Sequence, residues 1–234
     1  MRAHVIHAHS ESDSFVAAMR DLIIDELTAS GATVSLSDLY AMNFNPVLSP
    51  SDFPERRDPN HLTYALEQRY AYETHTLAPD IQAEIEHVLN ADLLVFTFPV
   101  FWFSVPAILK GWIDRVFISG PFYGGRRIYA AGGLEGKRAL AAFSLGGQPH
   151  MFGPGSIHGD LELGMLRHFL QGALGYVGLS VLEPFAAYHV PYLDAAARAD
   201  ILENLRRHIS NLDALPILSM PELSAFDKSF APIA

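Results

Sequence analysis

Leu93-Leu94-Val95-Phe96-Thr97-Phe98, followed at once by Pro99-Val100-Phe101-Trp102-Phe103-Ser104-Val105, is the stretch whose reading decides the fold. An unbroken apolar run of this length reads as a strand buried on both faces, which is the signature of a parallel sheet covered by helices. Behind the aromatic loop, Ser104 precedes a helix with Pro106 in its first turn and Ile108, Leu109, Trp112, Ile113, Val116 and Phe117 facing inward. A strand that ends in an aromatic loop and restarts as a helix is where a doubly wound sheet holds a flat ligand. The same rings would also suit a core. What favours a site is that other strand ends carry matching features.

Working outward, residues 5–9 form a first strand, and Ser14 caps a helix whose Phe15, Met19, Leu22, Ile23 and Leu27 share one face. A second strand covers 33–39. Residues 40–78 carry four prolines and no clean period, which predicts short helical turns packed on the domain, notably over 62–72. Pro79 opens a helix to residue 90, and the quoted strand occupies 92–98. A fourth strand over 138–144 opens a Gly- and Pro-rich loop that runs to Gly159-Asp160. A helix over 161–177, a fifth strand over 180–188 and a final helix over 194–212 complete the alternation. These elements predict an α/β fold, a doubly wound sheet of five parallel strands with right-handed crossovers and helices on both faces. One domain over 1–212 is expected, with a tail, 213–234, packed on it or on a second subunit.

Composition narrows the partners. The 234 residues are 50% hydrophobic, enough for one sizeable core. A formal net charge of −10 argues against nucleic acid or an anionic membrane surface as partner. With no cysteine there is no disulfide, thiolate nucleophile or thiolate metal site, which fits a cytoplasmic protein. Neither a signal-peptide layout nor a run long enough to span a bilayer is present, so no membrane insertion is expected.

Several motifs fail on spacing. Gly153-Pro154-Gly155 up to Gly159 is not a dinucleotide fingerprint. His7 and His9 fall on one face of a strand without a third ligand, so no metal is expected. Ala142-Phe143-Ser144-Leu145-Gly146 approaches a nucleophile elbow but has alanine for its first glycine, which leaves a serine hydrolase as a minor alternative. Three loops at strand carboxyl ends remain: 9–15, 99–104 and 144–147. The first offers hydroxyls and a helix N-terminus suited to phosphate. The second offers apolar walls, and the third a Gly146-Gly147 pair that lets backbone approach a ring edge. Together they suit a flavin.

The chain resembles the flavodoxin-like NAD(P)H:quinone oxidoreductase family, also called quinone reductase or DT-diaphorase. The likeness rests on Ala8-His9-Ser10-Glu11 with Ser14-Phe15, the run from Ser37 to Pro46, Pro99-x-x-Trp102-Phe103 continuing to Trp112, Gly146-Gly147, Gly155-x-Ile157-His158-Gly159-Asp160 and Val181-Leu182-Glu183-Pro184. It implies two-electron reduction of quinones and similar flat acceptors by NADH or NADPH through ping-pong hydride transfer on FAD, with FMN the less favoured cofactor. By resemblance, His9, Ser14 and Phe15 contact the FAD diphosphate, and Pro99, Val100, Trp102 and Phe103 hold the isoalloxazine. Ser144, Leu145, Gly146 and Gly147 lie along its other edge, and Arg198 lies near the adenine. His158 and Tyr123 take the catalytic positions, and Phe101, Phe152 and Tyr176 line the substrate pocket. A homodimer with the active site at its interface is also implied. Phe152 and the Gly124-Gly125 stretch stand where family members carry tyrosines, which predicts a wider pocket and a different preferred quinone. Relatives of this fold also serve as flavin-containing regulatory subunits of membrane transporters, a second implied function.

Overall fold

The computed structural model describes residues 1–233. Five stretches of parallel pairing run in the order β2-β1-β3-β4-β5, where β1 is Arg2–His7, β2 Thr33–Asp38, β3 Leu93–Pro99, β4 Arg138–Ser144 and β5 Ser180–Val181. All seven residues of β3 are buried, as its apolar run requires, and it lies between β1 and β4. From β1 the chain first pairs outward with β2 and then crosses to the other side of β1 to build β3. The switch point therefore opens between the carboxyl ends of β1 and β3, where a crevice is unavoidable.

Helices cover both faces. On one face α1 (Phe15–Ala29) and α6 (Ala195–Ser210) bury Met19, Ile23, Leu27, Leu205 and Ile209 against Val5, Val95 and Leu140. Opposite lie α2 (Tyr64–Glu73), α3 (Pro79–Asn90), α4 (Ala107–Val116) and the short α5 (Arg167–Phe169), packed over Ile6, Phe96, Phe98 and Phe143. Ser14 caps α1 by accepting from the Ala17 amide at 3.1 Å, as expected. Helix α4 lies so close to the 40–62 segment that a Cβ on Gly111 would sit 2.1 Å from the Pro46 carbonyl oxygen.

Two expectations are corrected. The sheet has six strands, because the segment expected as one fifth strand over 180–188 is two pieces, β5 and β6 (Phe185–Ala187), both parallel to β4. Between them, Pro184 has no N–H to give to a ladder. Glu183 instead donates its amide to the Pro216 carbonyl at 2.7 Å, and Leu218 donates to Val181 at 2.8 Å, so the start of the tail pairs with the strand's outer edge. The helix expected over 161–177 is also broken. Wide π-type turns over Leu161–Met165 and Leu170–Gly175 flank the three residues of α5, and Gly164, Gly172 and Gly175 supply little helix propensity to resist the distortion. Farther on, the Met220 side chain packs against Gly175, and Arg126 reaches the Leu223 and Asp227 carbonyls.

Candidate active site

Three loops meet at the carboxyl end of the sheet. In the first, His9 Nδ1 accepts from the Glu11 amide at 2.9 Å, which fixes the neutral ring as the tautomer with its proton on Nε2, a free donor. With Ser14 spent on its cap, the Phe15 and Val16 amides have no protein acceptor among the described residues and open the positive end of α1. His7 is the last residue of β1, and His9 follows the strand's end. The His7 ring is buried and bonds Thr97 Oγ1 at 2.8 Å, whereas His9 is only partly buried.

The second loop is a tight hairpin. Phe101 and Ser104 exchange backbone hydrogen bonds of 3.0 and 2.9 Å, and the two central residues, Trp102 and Phe103, both take left-handed backbone angles, φ 51° and 57°. That is the type I′ geometry normally given to Asn-Gly. A bulky residue there is strained by about 1–3 kcal/mol. The Trp102 ring is 96% exposed, so no packing within this chain repays the strain. The amides of Trp102 and Phe103 have no acceptor among the described residues. Ser104 also ties the turn to α5: its hydroxyl donates to His168 Nε2 at 2.9 Å, while His168 Nδ1–H donates to the Met165 carbonyl.

The third loop leaves β4. The Val100 amide donates to the Ser144 carbonyl at 2.8 Å, which joins the second loop to the third. Leu145 and Val190 exchange one bond, and His189 bonds both glycines, donating its amide to the Gly147 carbonyl and Nδ1–H to the Gly146 carbonyl. The carbonyls of Gly146 and Gly147 are thus held from behind while their amides remain without acceptors among the described residues. A Cβ on Gly147 would come within 2.7 Å of the Phe152 ring, so only glycine allows that aromatic so close. No histidine reaches Ser144 Oγ among the described residues, which leaves the hydrolase alternative without a base.

His158 lies between two rings, 5.1 Å from Phe103 and 5.3 Å from Phe152, and its ring nitrogens bond no protein group among the described residues. The structure therefore brings together Trp102, Phe103, Ser144, Leu145, Gly146, Gly147, Phe152 and His158, beside Pro99, Val100 and the exposed Phe101. Arg198 stands behind the third loop, donating to the Val190 carbonyl at 3.2 Å, and its Nε is buried without an acceptor.

Tyr123 and Tyr176 are not in this cluster. They pack on each other at 5.6 Å in a separate cavity of about 400 Å³ between α2, α4 and the 172–177 turn, where burial above all, then Tyr176, raises the Tyr123 hydroxyl above its ordinary pKa. Reasoning from sequence misses Tyr188, which packs on Phe152 at 5.8 Å, and Tyr192, which flanks Gly146 and lies tilted against His189 at 4.8 Å. The signal was available in the Tyr188-His189 pair just past the last strand. The expected strand absorbed it.

Residues 1–211 match the family described by its flavodoxin-like fold. The chain is 38% identical over 231 residues to the NAD(P)H dehydrogenase [quinone] 1 of Cavia porcellus, covering 98% of this chain and 83% of that protein. The chain belongs to the flavodoxin-like quinone reductase family. Another relative, the human ribosyldihydronicotinamide dehydrogenase [quinone], is 40% identical over 183 residues, 77% of this chain and 78% of its own. A solved structure from Klebsiella pneumoniae superposes with a TM-score of 0.89 at 31% identity, covering 99% of this chain and 90% of the other. The family is one of oxidoreductases. Among the described residues, no helix is long and apolar enough to cross a membrane.

Proposed function

We propose that this chain is a flavoprotein that reduces quinones and related flat acceptors by two electrons at the expense of NADH or NADPH. The observation that carries the reading is the strained aromatic turn 101–104, opposed by the Gly146-Gly147 loop, with four backbone amides left without acceptors. Such amides cost free energy unless a ligand or water takes them. Exposed rings held in a strained turn are best explained by a planar partner that covers them.

The residues present fit a flavin. His9 Nε2–H with the Phe15 and Val16 amides at the α1 terminus would hold a diphosphate, with Ser14 keeping that terminus in place. Pro99, Val100, Trp102 and Phe103 would hold the ring system, and Ser144, Leu145, Gly146 and Gly147 its opposite edge. Arg198, with its unspent Nε, would serve the adenylate side, which favours FAD over FMN. A bound flavin supplies the hydride acceptor and donor that no side chain here can. The glycine amides and His158, whose ring bonds no protein group among the described residues, would stand at the ring edge as donors that stabilise negative charge there, and His158 would be the side chain placed to hold a proton. Phe101 and Phe152 would line the substrate space over the ring, where nicotinamide and quinone would take turns in a ping-pong order. Because Tyr123 and Tyr176 sit away from the aromatic turn of their own chain, we assign them to the pocket of a second copy in a homodimer.

The test is direct. Purified protein should be yellow, release FAD identifiable by mass, and oxidise NAD(P)H in the presence of a quinone. Trp102→Ala should lose the colour on dialysis. A colourless protein that takes up neither FAD nor FMN ends this reading.

A further inference from the structure

Arg69 and Arg127 line one cleft, and neither is paired with a carboxylate. On α2, Arg69 donates Nη2–H to Ser119 Oγ at 3.0 Å, and Arg127 donates Nη1–H to the carbonyl of the next residue, Gly120, at 2.7 Å. Both guanidiniums are thus anchored on neighbouring points of the chain, and both line a cleft of about 630 Å³ beside Tyr72, Tyr123 and the Gly124-Gly125 stretch. Neither makes an ion pair among the described residues, unlike Arg115 and Arg20, although several other arginines are unpaired too. Glu73 also lies on the wall and pairs with neither. Most of the N–H donors of both arginines are therefore unused, and Arg69 Nε is buried with no acceptor at all.

Two guanidiniums held together repel each other, and an oxyanion between them converts repulsion into charge-assisted hydrogen bonds. On a chain of formal charge −10, a local positive pair is where an anion settles. The missing side chain at residue 124 protects the arrangement, since a Cβ on Gly124 would press to 2.9 Å on Arg69 Nη2. Tyr123 lines both this cleft and the cavity it shares with Tyr176, so one ligand can lay a ring on the tyrosine and place its charge at the arginines.

We propose that this cleft binds an oxyanion carried on a flat aromatic molecule, a sulfonate or carboxylate, and that the acceptors this protein prefers are acidic quinones. The inference rests on the reading of the chain as a quinone reductase. The experiment compares a naphthoquinone sulfonate with unsubstituted naphthoquinone as acceptors of the holoenzyme, and naphthalene sulfonate with naphthalene methanol as ligands in titration calorimetry. The expected result is a preference for the sulfonated member of about tenfold or more in both assays, weakening with added salt. Arg69→Gln with Arg127→Gln should bring both ratios close to one, and Arg127→Gln alone, an exposed position, should lower them part of the way. Ratios near one in the wild type, or unchanged in the double variant, overturn the proposal. Loss instead of a preference for NADPH over NADH assigns the arginines to the co-substrate's phosphate and also overturns it. Calorimetry keeps the two readings apart. If neither quinone is reduced, the reductase reading fails, while arginine-dependent sulfonate binding still decides the cleft.

Discussion

The aromatic turn at the end of β3 and the polar groups buried on the same side of the sheet treat hydrogen bonds in opposite ways. In the turn, strained backbone and exposed rings go with amides that have no acceptor. Under α3 and α4, by contrast, Glu84 accepts from Ser37 Oγ at 2.8 Å and from Trp112 Nε1 at 2.7 Å, and His4 bonds both Ser35 and Ser37. Close by, Arg115 pairs with Asp52 at 2.9 Å and Asp80 at 2.6 Å and donates to the Asn45 carbonyl. The buried region has spent its donors on specifying one fold. The turn has kept its donors for something else. Satisfied polarity fixes architecture, and unsatisfied polarity under strain marks a ligand.

Breaking the buried region should have the largest effect. Arg115→Ala leaves Asp52, whose side chain is 2% exposed, without its ion pair, and should lower stability by about 3–5 kcal/mol in urea unfolding. A loss under 1 kcal/mol would erase the contrast.

Acid should act on the same side of the comparison. Burial, reinforced by the neighbouring His87, holds His4 at a pKa of about 3, and burial, reinforced by Arg20, holds His7 at about 4, both below the ordinary 6.5. In the unfolded chain these rings take up protons below pH 6.5 while the folded ones stay neutral. Their stability contribution is therefore complete above that pH and is lost as pH falls toward the folded values. Between pH 7 and 5 each should cost roughly 2 kcal/mol, and His4→Gln should remove its share of the slope. Denaturant midpoints that do not move over this range would show that the rings are not buried neutral.

At the functional end the effects are smaller in stability and larger in chemistry. His158→Ala should lower the reduction potential of the bound flavin by about 30–65 mV, the equivalent of one hydrogen bond to a charged group, without releasing the cofactor. An unchanged potential would remove His158 from the proposed role. Smallest of all, Trp102→Asn should stabilise the apoprotein by about 1 kcal/mol, since asparagine tolerates the left-handed backbone and the exposed ring contributes little packing. The same variant should hold the flavin less tightly. A variant that gained no stability would mean the turn stores no strain.

Much of this molecule was legible residue by residue. The fourth strand is found at 138–144 as expected, the third helix at 79–90, and the Ser14 cap where the sequence puts it. The three loops were legible too, because a parallel sheet brings the carboxyl ends of its strands to one edge. Phe101-Trp102-Phe103-Ser104 carries none of the Asn or Gly that announces a type I′ turn, so the strain was hidden. The separation of Tyr123 from His158 and the meeting of Arg69 with Arg127 were hidden as well, since each depends on residues distant in sequence.

Hydrophobic period, helix caps and the apolar run of β3 determined the class of fold and the order of its elements, because those signals are local and repeat along the chain. Pro184 marks in the sequence a place where a strand must break, but tertiary structure alone decided that the segment beside it pairs with the start of the tail, and that Trp102 and Phe103 adopt left-handed angles. Both outcomes depend on which distant groups lie within hydrogen-bonding reach, and no pattern of neighbouring residues encodes that.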